Sequence, residues 1–372
     1  MTREKQITPR QAVAIIASIT ISVGILTLPR EAAVAAGTDA HLATLMGGLI
    51  GGLLLIFYTK LAQRFPNRSL IQYSTLALGS VLGKIIGLAF ILYWLLLLTA
   101  IARFFGEMLI TSILTNTPLE VTIIIMLLLG AQLAGQDVKV FARVNELFLP
   151  LIILPLLILL ILSLPTIKYL HLLPVLAYGP GPILRGVLAT CLSYLGIELV
   201  LILFPYYTEP QQALKYHLYG IALPILIYTL TVCATLGSFG VDTLQKLQWP
   251  TLEQIRITHI PGVFERLESA FVAVWVVTVF TSVGGFFFLI TLSLTETLGL
   301  KQRNRFYHYL LIVPIFLLAR YPQNIVQTEL YIGMIANAGM ILIVLVPILI
   351  YLAALVRKLK GGEIHNEKNN ST

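Results

Sequence analysis

Long apolar blocks separated by short polar or Pro/Gly-rich breaks run along nearly the whole chain. At about 20 residues of helix per crossing, the blocks predict membrane spans near residues 11–36, 41–61, 82–114, 119–134 and 140–164. A second set follows near residues 182–204, 214–239, 263–298, 307–319 and 325–356. Ten spans return both ends to one side of the membrane. The pattern predicts one transmembrane domain over residues 1–360, divided into repeats near 8–164 and 182–356, with a disordered polar tail at 361–372. The segment 62–81 reads as a connector, and 241–260 as the longest loop on the opposite side. Within that loop residues 251–258 predict a short surface helix after Trp249 and Pro250, so the loop is either a lid or a plain connector. The basic stretch from Met1 to Arg10 precedes a block too long and too late for a cleavable leader, so the first span is expected to act as its own insertion signal.

Charge adds an orientation. Lys and Arg gather at one set of ends: Arg3, Lys5 and Arg10; Lys60, Arg64, Arg68 and Lys84; Lys139 and Arg143; Lys215; Lys301, Arg303 and Arg305; and Arg357, Lys358, Lys360 and Lys368. The opposite loops hold mainly Lys168, Lys246 and Arg256, which predicts cytoplasmic termini. The net charge of +8 is therefore topological, and nucleic acid is not an expected partner. The composition, 58% apolar and 11% charged, excludes a soluble domain, which carries about a quarter charged residues. Cys191 and Cys233 lie inside apolar blocks without disulfide or metal spacing.

Chemistry enters where a span cannot remain a regular helix. In the first, Thr20 and Ser22-Val23-Gly24-Ile25-Leu26-Thr27-Leu28-Pro29-Arg30 combine a weakening glycine with a proline that clashes with the Ile25 carbonyl. Taken alone, this is equally a simple kink. The sixth span, crossing in the opposite direction, reads Ser193-Tyr194-Leu195-Gly196-Ile197-Glu198 and closes on Pro205. Corresponding interruptions in two inverted halves point to a midplane binding site. A half-helix starting at an unwound glycine presents free N–H groups to a carboxylate, while unwound carbonyls and the hydroxyls of Thr20, Ser22 and Ser193 accept from an ammonium. A small zwitterionic amino acid suits both ends. Glu198 is either a proton relay or ammonium contact, or the cap of a half-helix.

Other spans add candidates with two readings each. Tyr93, Leu97, Ala100, Phe104 and Glu107 share a face of the third span beside Trp94, as pocket wall or as ordinary packing. Arg103 and Glu107 stand one turn apart, either as functional intramembrane charges or as a structural pair, with Arg30 a second possible partner for Glu107. Thr278, Thr281, Ser282, Gly284 and Gly285 fall near the middle of the eighth span, where the Thr281 and Ser282 hydroxyls either serve an alkali cation or bond back to their own helix. No catalytic or cofactor-binding motif is present, so neither an enzyme nor a cofactor is expected.

These residues resemble a known family, the B subunit of the spore nutrient-germinant receptors, in the amino acid, polyamine and organocation transporter superfamily. The resemblance runs over nearly the whole chain. It rests on Ile7-Thr8-Pro9-Arg10-Gln11, Gly24-Ile25-Leu26-Thr27-Leu28-Pro29-Arg30, Ala36-Gly37-Thr38-Asp39, Ala142-Arg143-Val144-Asn145-Glu146, Gly196-Ile197-Glu198, Trp249-Pro250-Thr251, and Glu265-Arg266-Leu267-Glu268 with Trp275. His41 departs from it, standing where an aromatic, often tryptophan, is expected. The resemblance implies an all-α, leucine-transporter-type five-plus-five inverted repeat with helices one and six broken. It further implies the spore inner membrane, a larger membrane A subunit and a lipoprotein C subunit as partners, and the sensing of a germinant amino acid. A stand-alone proton- or sodium-coupled amino acid transporter is the alternative.

Overall fold

The computed structural model describes residues 6–258, 267–300 and 306–359. The expected tail at 361–372, the basic residues at 3, 5, 301, 303, 305, 360 and 368, and Glu265-Arg266 of the quoted motif lie outside them.

The first span is two helices, α1 (Pro9–Thr20) and α2 (Gly24–Ala36). Thr8 starts α1 with a capping box, its hydroxyl accepting from Gln11 N at 3.4 Å while Gln11 Oε1 accepts from Thr8 N at 3.0 Å, and Pro9 takes the first helical position. The second span is α3 (Ala40–Arg64), followed by α4 (Leu70–Leu78) and the third span α5 (Ser80–Ser112). Next come α6 (Leu119–Ala134) and α7 (Val138–Ser163), and the sixth span is split between α8 (Pro180–Cys191) and α9 (Val200–Leu203). The remaining spans are α10 (Ala213–Leu244), α12 (Leu267–Thr297), α13 (Phe306–Ala319) and α14 (Ile325–Val356), with α11 (Pro250–Ile257) between α10 and α12. These are the ten spans read from the apolar blocks, with two short additions.

The connector after α3 contains α4, capped by Ser69 and Gln72 in a second capping box and buried through Leu70, Ile71, Tyr73, Ser74 and Ala77. Its apolar residues were too few for a span and were hidden by the polar cap before them.

α1 sits at the centre, with nine of its residues buried from Gln11 to Thr20. The apolar windows of α12 and α5 are 72% and 61% buried, against 28% for α7 and α14, so α7 and α14 form the lipid-facing rim. α3 approaches α8 closely because Gly47, Gly48 and Gly51 leave room for Thr190 and the ring of Tyr194, the small-residue contact by which membrane helices pack.

Both described ends meet at one end of the bundle. Ile7 forms a parallel bridge with Tyr207, and Arg64 donates to the Leu359 carbonyl at 2.8 Å. At the other end Leu176 N donates to Asp39 at 2.9 Å and Thr38 to the Pro174 carbonyl at 2.8 Å.

The helix expected on the surface is α11, yet Pro250, Thr251, Leu252, Gln254 and Ile255 are buried. Gln254 donates to Thr166 Oγ1 at 2.9 Å and Trp249 meets Phe104 edge-on at 5.0 Å. In the detergent-solubilised protein a cysteine at Gln254, 4% exposed, is expected to resist a thiol reagent. One at Ile257, 44% exposed, should label above the background of Cys191 and Cys233. Equal labelling at the two positions would mean that α11 does not dock.

Candidate functional site

The first span breaks at Ile21-Ser22-Val23, and Gly24 is the first residue of the new helix. Pro29 does not make this break, because it lies inside α2. Its missing N–H still frees the Ile25 carbonyl, which accepts from the Thr251 hydroxyl of α11 at 2.6 Å.

The end of α1 turns carbonyls toward its neighbours. Thr20 O accepts from the Tyr228 hydroxyl at 2.7 Å, Ile19 O from Ser282 at 3.1 Å and Ser18 O from Thr281 at 3.3 Å. The predicted hydroxyl pair thus faces broken-helix carbonyls. It also bonds back to its own helix, Thr281 and Ser282 both reaching the Thr278 carbonyl at 2.8 and 3.2 Å. Beyond the break, Leu26 N reaches Val23 O at 3.2 Å, and the earlier N–H groups of the first turn of α2 have no intrahelical partner.

The sixth span bends by 48° between its halves. Leu192–Tyr194 forms a single 3-10 turn, Leu195 is extended and Gly196 has φ 103°, which glycine adopts without a Cβ penalty. Glu198, fully buried, accepts from Gly196 N at 2.8 Å and from Trp94 Nε1 at 3.0 Å. Its carboxylate therefore caps the half-helix from behind.

Between the two breaks lies a cavity of about 280 Å³. Thr20, Ser22, Val23, Gly24 and Thr27 line it from the first span, and Leu192, Ser193 and Leu195 from the sixth. Leu97, Ile101 and Phe104 of α5, Phe286 of α12, and Ile332, Gly333 and Ala336 of α14 complete the apolar wall. Thr20 Oγ1 and Ser22 Oγ are buried without a partner among the described residues, the condition of groups waiting for a ligand or water.

Nine of the predicted residues meet in this cavity, Leu97 and Phe104 of α5 among them. The others stand behind it. Ile25 and Leu26 are in the core, Tyr93 packs on Gly339 of α14, and Tyr194 is wedged at Gly48 and Gly51. An added Cβ on Gly196 would meet Ile19, Glu198 is the cap, and Thr278 bonds back to Val274 O at 3.1 Å.

Arg30, Glu31 and Glu329 also line the cavity, and the sequence reading had assigned none of them to it. Arg30 pairs with Glu329 of α14 at 2.5 Å, and Gln248 donates to the same carboxylate at 3.1 Å. Glu107 is not Arg30's partner. It holds Arg103 at 2.6 Å and accepts from Thr328 at 3.2 Å, a buried pair that ties α5 to α14. A signal for Glu31 was available, since 24, 27 and 31 follow the i, i+3, i+7 spacing of one helix face.

A sequence model of the family described as "Spore germination protein" matches residues 6–328. The chain belongs to this family. Among curated members, spore germination protein YndE of Bacillus subtilis (strain 168) is 29% identical over 86% of this chain and 88% of its own length. Spore germination protein A2 of the same organism is 27% identical over 94% and 96%. The chain also superposes on solved transporters. A Na+-coupled sialic acid symporter matches at TM-score 0.67 and 11% identity, covering 96% of this chain and 81% of that one. MhsT in complex with L-phenylalanine matches at 0.60 and 13%, covering 95% and 99%. The fold is the all-α leucine-transporter type, with helices one and six broken.

Proposed function

We propose that this germination protein is the ligand-binding membrane subunit of a spore germinant receptor. A small free amino acid enters the cavity between the two breaks, and the resulting change of shape passes to a larger membrane A subunit and a lipoprotein C subunit. The observation that carries the reading is the pair of unpartnered buried hydroxyls, Thr20 and Ser22, beside the N-terminus of α2 and opposite Ser193. The ligand carboxylate sits on the first N–H groups of α2, each such contact contributing about 0.3 to 2 kcal/mol, and the ammonium on the hydroxyls and unwound carbonyls. The germination role of the relatives supports the receptor context, and the L-phenylalanine held by MhsT supports an amino acid as ligand. The two halves act as inverted repeats of one domain, in the spore inner membrane with cytoplasmic termini. The reading involves no chemical step and no cofactor.

Purified protein in proteoliposomes tests this directly. Saturable amino acid binding without accumulation is expected, concentrative uptake would establish the transporter instead, and neither would sink both.

The facing of Thr281 and Ser282 toward Ser18 and Ile19 favours an alkali cation as co-ligand. The double substitution Thr281→Val, Ser282→Ala is then expected to remove sodium dependence of binding. Binding by the unmodified protein that is indifferent to sodium would end the cation idea.

A further inference from the structure

The cavity between the two breaks carries charge. Arg30, Glu31 and Glu329 are the charged residues that line it. Arg30 pairs with Glu329 at 2.5 Å and also attracts the adjoining Glu31, so two carboxylates share one cation and the trio is left with one negative charge in excess. The neighbours of Glu31 are the Thr27 hydroxyl, the already engaged Arg30, and Glu329, which repels it. A carboxylate left uncompensated in a membrane cavity is costly. A bound zwitterion brings no net charge and leaves that imbalance standing.

Position narrows the class of ligand. Glu31 is seven residues, two turns, beyond Gly24 on the same face of α2, about 10 Å along the axis at 1.5 Å per residue. Its side chain leans back toward Thr27, as helical side chains do. The two α-groups of an amino acid share one carbon, so both belong at the break. A flexible side chain ending in an ammonium, like that of lysine, spans the remaining distance.

We infer that Glu31 is the specificity residue of this cavity and that the preferred ligand is an amino acid whose side chain ends in a cation. The inference rests on the amino acid reading above. The α-carboxylate is read by the N–H groups at Gly24, and the distal cation by Glu31 in a charge-assisted hydrogen bond. Arg30, held by Glu329, bounds the site without competing for the ligand's positive end.

Binding of L-lysine, L-norleucine and cadaverine to the full chain in lipid nanodiscs separates the two charge contacts. L-lysine is expected to bind at least about tenfold more tightly than L-norleucine, roughly 1.4 kcal/mol. Glu31→Gln should bring the two within about twofold, a change of roughly 0.4 kcal/mol or less between them, and Glu31→Asp should keep lysine ahead. L-norleucine binding as well as L-lysine, a lysine preference that survives Glu31→Gln, or no L-lysine binding at saturation would each overturn the inference. If lysine and norleucine bind equally and Gly24→Leu abolishes both, the amino acid site stands and only the role of Glu31 falls. If cadaverine matches L-lysine, the break reads no carboxylate; the amino acid reading then falls and the charge contact at Glu31 stands.

Discussion

Gly24→Leu is expected to insert and fold normally and to lose ligand binding. A Cβ at this position would lie 3.4 Å from Ser193 Cβ and Oγ and from the Tyr228 hydroxyl, ordinary contact that alanine tolerates. The remaining atoms of leucine have no free direction except the cavity. They would cover the hydroxyl of Ser193 and the N–H groups to which the proposed ligand carboxylate is assigned. Gly52→Leu on α3 is the matched control, because nothing lies within 4 Å of a Cβ there. Gly51 does not serve, since its Cβ would meet Tyr194 Cβ at 3.3 Å and press on the second break. Membrane level, thermal stability and binding should be followed for both variants. Binding at wild-type ligand concentration by a well-inserted Gly24→Leu protein would remove the cavity from consideration.

Glu198→Leu is expected to cost stability where Gly24→Leu costs recognition. The change orphans the Gly196 N–H and the Trp94 indole N–H, at about 1 to 3 kcal/mol for each buried donor. The summed loss is on the order of 2 to 6 kcal/mol. Glu198→Gln keeps an acceptor and should lose less. Trp94→Phe combined with Glu198→Leu should lose less than the two single changes added, because they share one contact. Thermal unfolding in detergent measures all four variants, and an unchanged midpoint for Glu198→Leu would mean that the cap holds nothing.

The ten spans were legible because lipid demands long apolar helices, and Gly24 and Gly196 marked the two breaks by weakening the helix where it fails. The place of the first break was not legible from Pro29. A proline interrupts hydrogen bonding only if the freed carbonyl finds no other donor, and Thr251 supplies one from a helix more than two hundred residues away. α11 was judged exposed for the same reason: its polar residues have partners, Thr166 and Ile25, that only the folded chain brings near. Glu198 carried both readings at the outset because a buried carboxylate looks alike as relay and as cap. Its bonds to Gly196 and Trp94 decide the geometry. Glu31 was passed over beside the more conspicuous Arg30, although its spacing from Gly24 placed it on the cavity face.

The donors that complete the first break have a consequence for synthesis. The Thr20 and Ile19 carbonyls are completed by Tyr228 and Ser282, which follow them by 208 and 263 residues. At roughly 5 to 20 residues per second the ribosome takes some tens of seconds to deliver them. The first span therefore enters the bilayer long before the groups that hold its break exist. The hydrogen bonds that complete the break therefore cannot form until the second half of the protein has been made.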